Sequence, residues 1–144
     1  MTRFHTYLNF AGNAEEAFRF YRAIFGGEFS SVVRFKDTAM PGVNIPKADE
    51  SKIMHIALPV GKDGLLMASD ALESLGQKIT HGNDVYIFVQ PDSKDGANRI
   101  FDALSGGGAV EMPIADQIWG DYYGSVRDKF GVQWIVDYAY PKAK

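Results

Sequence analysis

The chain has 144 residues, 46% of them hydrophobic and 23% charged, with a formal net charge of −3. That length supports a core of ordinary domain size, and the slight negative charge gives no electrostatic reason to expect nucleic acid or an anionic membrane as partner. There is no cysteine, which excludes disulfides, thiolate metal ligands and a cysteine nucleophile and accords with a cytoplasmic setting.

No apolar run reaches the roughly 18 residues of a membrane span. The opening MTRFHTYLNF lacks the charged, apolar and small-residue layout of a signal peptide. RFHTYLNF (3–10) mixes aromatic and β-prone residues and predicts a strand. Asn13 is the expected N-cap of a following helix, with Glu16 placed for a capping box. Ala17, Phe20, Tyr21, Ile24 and Phe25 recur at helical spacing, and Gly26–Gly27 stop the helix. FSSVVRF (29–35) predicts a second strand. Residues 37–52, with two prolines, predict a long loop of the kind that carries function. KIMHIALPV (52–60) and GLLMASDA (64–71) predict two strands joined by the tight turn GKDG. Residues 72–83 form a polar connector.

The order then restarts. DVYIFVQ (84–90) predicts a strand, KDGANRIFDALSGGG a helix with a glycine stop, and residues 108–120, 121–128 and 132–140 three more strands. An offset of 80 carries Ala17 onto Ala97, Phe20 onto Ile100, Tyr21 onto Phe101, Ile24 onto Leu104 and Gly26 onto Gly106. An offset of 67 relates the closing strands, placing Gly64 on Gly131, Met67 on Trp134 and Asp70 on Asp137. The reading is an α+β chain of two βαβββ modules, about 1–72 and 83–140, within a single domain spanning 1–144.

YLNFAGNAEEAFRFYRAIFGGE, MHIALPVG with LLMASDA, and WGDYYGSVRDKFGVQW are similar to the PhnB-like branch of the vicinal oxygen chelate superfamily. That superfamily includes glyoxalase I, extradiol dioxygenases and bleomycin-resistance proteins. The final stretch carries the most specific match, through Trp119, Gly120, Asp121, Gly124, Asp128, Phe130, Gly131 and Trp134. The resemblance implies modules that curl into half-barrels around a ligand cavity, and a homodimer. It does not imply one reaction. Some PhnB-like members carry a demethylubiquinone methyltransferase label. The glycine-rich strand-to-helix loop and acidic strand end expected of an S-adenosylmethionine site are not found here, so that label is set aside.

Metal-dependent members of the superfamily place His, Gln or Glu early on the first strand and mid-way along the last strand of each module. His5 matches the first of these positions. Val85, beside Tyr86, falls on its equivalent, and the closing strands offer Met67 and Trp134, with Ser69 and Val136 two residues on. One candidate ligand of four is not a site, since a divalent ion wants about three protein donors. The expectation is therefore no metal, with one divalent ion as the alternative.

His5, Tyr7 and Asn9 alternate and share a strand face. His5 reads either as a cavity base or donor or as a surface histidine; His55 either faces the cavity or is a satisfied sheet histidine. Ser69 and Asp70 point to opposite faces, so Asp70 is expected to end the strand and cap the following segment. Trp119, Tyr122 and Tyr123 are placed to close over an apolar ligand with Trp134 beneath, while Arg127–Asp128 set a turn. No P-loop, GxGxxG, GxSxG or HExxH occurs.

The expected function is binding of a small, partly apolar or aromatic molecule in a sheet-lined cavity. The expected pocket residues are His5, Tyr7, His55, Met67, Trp119, Tyr122 and Trp134. The alternative is a metal-dependent lyase, isomerase or dioxygenase using His5 and His55.

Overall fold

The computed structural model describes residues 1–38 and 41–142, and the chain divides into two compact units, Met1–Thr80 and His81–Lys144. The first unit runs β1 (Thr6–Phe10), α1 (Ala14–Phe25), β2 (Ser31–Arg34), β3 (Ile53–Val60) and β4 (Gly64–Asp70). The second runs β5 (Ile87–Val89), α2 (Lys94–Ser105), β6 (Ala109–Asp116), β7 (Asp121–Arg127) and β8 (Gln133–Ala139). Each forms one four-stranded sheet, ordered β1-β4-β3-β2 and β5-β8-β7-β6. In both, the first strand pairs parallel with the last while the remaining pairs are antiparallel. The chain is thus an α+β protein of two repeated βαβββ modules with unclosed mixed sheets. The long loop between β2 and β3 contains two single 3-10 turns, Phe35–Asp37 and Lys47–Asp49; Ala39 and Met40 within it lie outside the described residues.

In the first unit, pairing sorts the residues into two faces. Phe10, Leu66, Ala68, Ile56 and Leu58 share one face by register and are buried. α1 covers this face with Ala14, Ala17, Phe18, Tyr21 and Ile24, and Phe18 meets Phe10 edge-on with ring centroids 6.3 Å apart. Each large apolar side chain buried here contributes roughly 1.5–3 kcal/mol.

The start of α1 is held by a residue distant in sequence. Asn13 occupies the N-cap but makes no side-chain capping bond. Asp70, at the end of β4 and buried, accepts instead from the backbone N–H groups of Gly12 (3.1 Å), Ala14 (2.9 Å) and Ile53 (2.8 Å). A carboxylate at a helix N-terminus satisfies orphan donors and favours the helix dipole. Asp70 therefore caps the preceding helix rather than the segment that follows it, and ties α1, β3 and β4 together. α2 begins more simply, with Ser93 Oγ accepting from Gly96 N at 2.9 Å.

In the second unit Tyr122, Gly124 and Val126 pair with Tyr138, Val136 and Trp134, and α2 covers this face. Tyr122 donates its hydroxyl to Asn98 Oδ1 of α2 at 2.5 Å. Gly124 is obligatory here, because a Cβ would lie 2.7 Å from Ile114 Cα and 2.8 Å from Phe101 Cε2.

The two modules are offset by 80 along their helices, 14–25 against 94–105, but not along their strands. Met67 lies opposite Tyr7 and Ala57 on the face that α1 leaves open, whereas Trp134 lies on the face that α2 covers. The face-preserving equivalents are Thr6 with Ile87 and Leu66 with Trp134, one residue further on. The connection into α2 is four residues, 90–93, where that into α1 is three, 11–13. Because side chains alternate with period two, that single residue exchanges the faces of β5 against an offset of 80, and the 68-residue offset between Leu66 and Trp134 does the same for β8 against an offset of 67.

Candidate functional site

The open face of the first unit gathers a polar and aromatic group. Tyr7 stands on β1 opposite Met67 of β4, and Asn9 opposite Ser69. Ser69 Oγ donates to Asn9 Oδ1 at 3.2 Å. The Tyr7 hydroxyl is 3.5 Å from Nδ1 of His55 on β3, and the two rings stack with centroids 5.9 Å apart at an angle of 27°. Tyr7 is 47% exposed, and His55 and Met67 are half-buried. An imidazole, a phenol, a hydroxyl and an amide thus line up beside a thioether, none of them packed under the helix. Together they supply hydrogen-bond donors and acceptors beside a soft apolar surface. His5 lies one residue before β1 and is exposed; among the described residues no hydrogen bond ties it to this group.

In the second unit the expected residues divide. Trp119 is 57% exposed, sits in the β6–β7 turn and packs edge-on against Tyr123 with centroids 5.2 Å apart. Tyr122 faces α2, with the Lys94 ammonium 4.7 Å above its ring. Trp134 is 1% exposed and donates Nε1–H to Asp128 Oδ2 at 2.8 Å. Asp128 Oδ1 accepts from Phe130 N (2.8 Å) and Val132 N (3.1 Å). Arg127 donates from Nη1 to the Gly131 carbonyl and from Nη2 to the Gly82 carbonyl, each at 3.0 Å, and Gly131 supplies the positive φ of 89° that the turn needs. The distinctive RDKFGVQW segment is therefore a turn organised by a buried carboxylate, with Trp134 as part of its core.

The open-face positions of β8 are Gln133, Ile135 and Asp137. Asp137 is buried. Burial first, then the hydrogen bond and negative charge of Asp121, push its carboxyl up to about 6. A buried carboxyl raised beside a second carboxyl is a recurrent acid–base arrangement. Strict alternation along QWIVDYA would have exposed Gln133 and Asp137 as open-face partners, had the strand frame been set by Trp134 facing the helix.

The residues do not fit a divalent metal. The positions that the resemblance assigns to ligands hold His5, Met67 and Ser69 in the first unit and Val85, Trp134 and Val136 in the second, with one imidazole among them. Among the described residues, no group of three or more His, Asp or Glu converges to hold an ion, and such a site needs about three protein donors. No helix among the described residues is long and apolar enough to cross a membrane.

Comparison with known proteins places this geometry. The chain resembles the structure of protein PA1353 from Pseudomonas aeruginosa, at 34% identity and a TM-score of 0.85, over 96% of this chain and 98% of that one. It also resembles a PhnB protein from Bacillus cereus, at 26% identity and a TM-score of 0.76, over 96% of this chain and all of that one. A glyoxalase/bleomycin resistance protein/dioxygenase family enzyme from Burkholderia phytofirmans shares the fold, with a TM-score of 0.59 at 14% identity over 93% of this chain and 97% of that one. The family model described as 3-demethylubiquinone-9 3-methyltransferase matches residues 2–137. The chain belongs to that PhnB-like family and has its glyoxalase-like α+β fold.

Proposed function

We propose that the protein binds a small, partly apolar or aromatic molecule against the open sheet face that carries Tyr7, His55 and Met67. The observation that carries this reading is the Tyr7–His55 pair itself. A stacked phenol and imidazole stand on an uncovered sheet face, beside Met67 and the Asn9–Ser69 pair, while the opposite face is packed under α1. The ligand's ring rests on Met67 and Tyr7, and its polar group is recognised by His55 and the Ser69–Asn9 pair. Operation in the cytoplasm as a homodimer, without a resident metal, completes the proposal. The family's methyltransferase description is not carried over, because neither helix opens on a glycine-rich phosphate-type loop.

A second reading is acid–base catalysis, favoured by the raised carboxyl of Asp137 beside Asp121. A carboxyl near 6 is matched to proton transfer around neutral pH.

The test is a thermal-shift screen of small aromatic carbonyl and hydroxyl compounds, repeated on Tyr7→Phe and His55→Ala. Both residues lie outside the core, so both variants should unfold near the parent temperature. The proposal requires that a stabilising compound lose most of its effect in His55→Ala. Equal stabilisation of parent and both variants removes this face as the site.

A further inference from the structure

The open face of the second unit holds a constellation that the first lacks. Gln133 Nε2 donates to Glu111 Oε2 at 3.0 Å, with Oε1 at 3.3 Å. The Tyr86 phenol stands beside the same carboxylate, and Glu111 holds it above the usual range. Gln133 is only 4% exposed, and its Oε1 is buried without a hydrogen-bond partner. The amide is not simply reversed, because turning it would set its oxygen against the Glu111 carboxylate. A buried carbonyl left unpaired costs on the order of 1–3 kcal/mol, so the orphan calls for a donor.

The direction of the existing bonds decides which kind of donor. Gln133 spends a donor on Glu111, and the Tyr86 phenol stands beside that carboxylate. What remains is acceptor capacity, at Gln133 Oε1 and on the Glu111 carboxylate. Arg127, the cation felt at Tyr86, is engaged with the Gly131 and Gly82 carbonyls. Glu111 is exposed and sits where the β6–β7 register slips between Val110 and Met112, so the constellation runs from solvent down to the sheet. An N–H donor bearing positive charge meets both the orphan carbonyl and the carboxylate; a neutral donor meets only the former, and an anion neither.

We propose that Glu111, Gln133 and Tyr86 form a recognition site for a protonated amine on a small ligand. This goes beyond the first-unit reading and does not rest on it, by placing recognition of a cationic nitrogen on the second unit.

The test compares benzylammonium with benzyl alcohol by two-dimensional NMR of the whole chain, for the parent and Glu111→Gln. Glu111 is exposed, so that variant keeps its fold. The proposal predicts that benzylammonium moves the Gln133 side-chain amide signals and that benzyl alcohol leaves them in place. Glu111→Gln should weaken the amine by about tenfold or more, the scale of one charge-assisted hydrogen bond. Gln133 signals unmoved by benzylammonium, or equal affinity in Glu111→Gln, overturn it. Shifts at Tyr7, His55 and Met67 without any at Gln133 leave the first-unit reading standing and remove this one; shifts at Gln133 alone do the reverse.

Discussion

Replacing Asp70 tests how one carboxylate assembles the first unit. Its oxygens accept three backbone N–H groups, from Gly12 and Ala14 at Oδ1 and from Ile53 at Oδ2. The bonds to Ala14 and Ile53 are buried, while that to Gly12 is only part-buried. In Asp70→Ala both buried donors lose their acceptor at about 1–3 kcal/mol each, and the Gly12 group is partly rescued by water, for a total of about 4 kcal/mol. That is a large share of a typical folding stability of roughly 5–15 kcal/mol. Asp70→Asn should fall between: its oxygen keeps Gly12 and Ala14, but its amide N–H₂ then faces the Ile53 N–H, donor against donor, at about 1–3 kcal/mol. Asn13→Ala, by contrast, should cost no more than about 0.5 kcal/mol, because the Asn13 side chain makes no capping bond. Urea unfolding followed by circular dichroism measures all three. An Asp70→Ala cost below about 1 kcal/mol, or an Asn13→Ala cost equal to it, refutes the reasoning.

The second unit gives three further expectations. Ser93→Ala should cost about 1 kcal/mol through loss of the Ser93–Gly96 cap; no change in the urea midpoint contradicts it. Asp128→Asn leaves one oxygen to serve Phe130, Val132 and the Trp134 indole, so the indole N–H resonance should move and stability fall by about 1–3 kcal/mol; an unmoved resonance contradicts the assigned contact. Asp137 has its folded value raised from 3.8 to about 6, so between those values the native state holds a proton that the unfolded chain has released. Its stabilising effect is full below 3.8 and is lost as pH rises through about 6. Asp137→Asn should flatten that fall; an unchanged pH profile contradicts the Asp121–Asp137 pair.

The helices and strand order were legible because apolar period and glycine stops act locally. Ala17, Tyr21 and Ile24, like Ala97, Phe101 and Leu104, declare a buried stripe without reference to anything else. Strand faces were not legible at the same level. The extra residue between β5 and α2 is invisible to an offset fixed on the helices, and the closing-strand offset of 67, fixed on Gly64 and Gly131, misses the 68 that aligns Leu66 rather than Met67 with Trp134. Asp70 escaped because its partners lie 17 to 58 residues away in sequence, beyond any capping pattern. Tyr7 follows from alternation with His5 and Asn9, whereas His55 comes from the resemblance and Met67 from the repeat; the strand pairing sets all three on one face. Glu111 and Gln133 carried no signal, since neither belongs to a catalytic motif and only the β6–β7–β8 pairing brings them together.

The most direct test of the proposed ligand face uses methyl-labelled methionine, of which the chain has five. Met67 stands on the open face between Tyr7 and Ala57, so its methyl group should show intermolecular Overhauser contacts to any compound that stabilises the protein. The same compound should show no contact to the Trp134 indole, which is sealed beneath α2. Contacts from the Met67 methyl that disappear in His55→Ala are the predicted result. A stabilising compound that touches other methionine methyls while leaving Met67 silent would contradict the account.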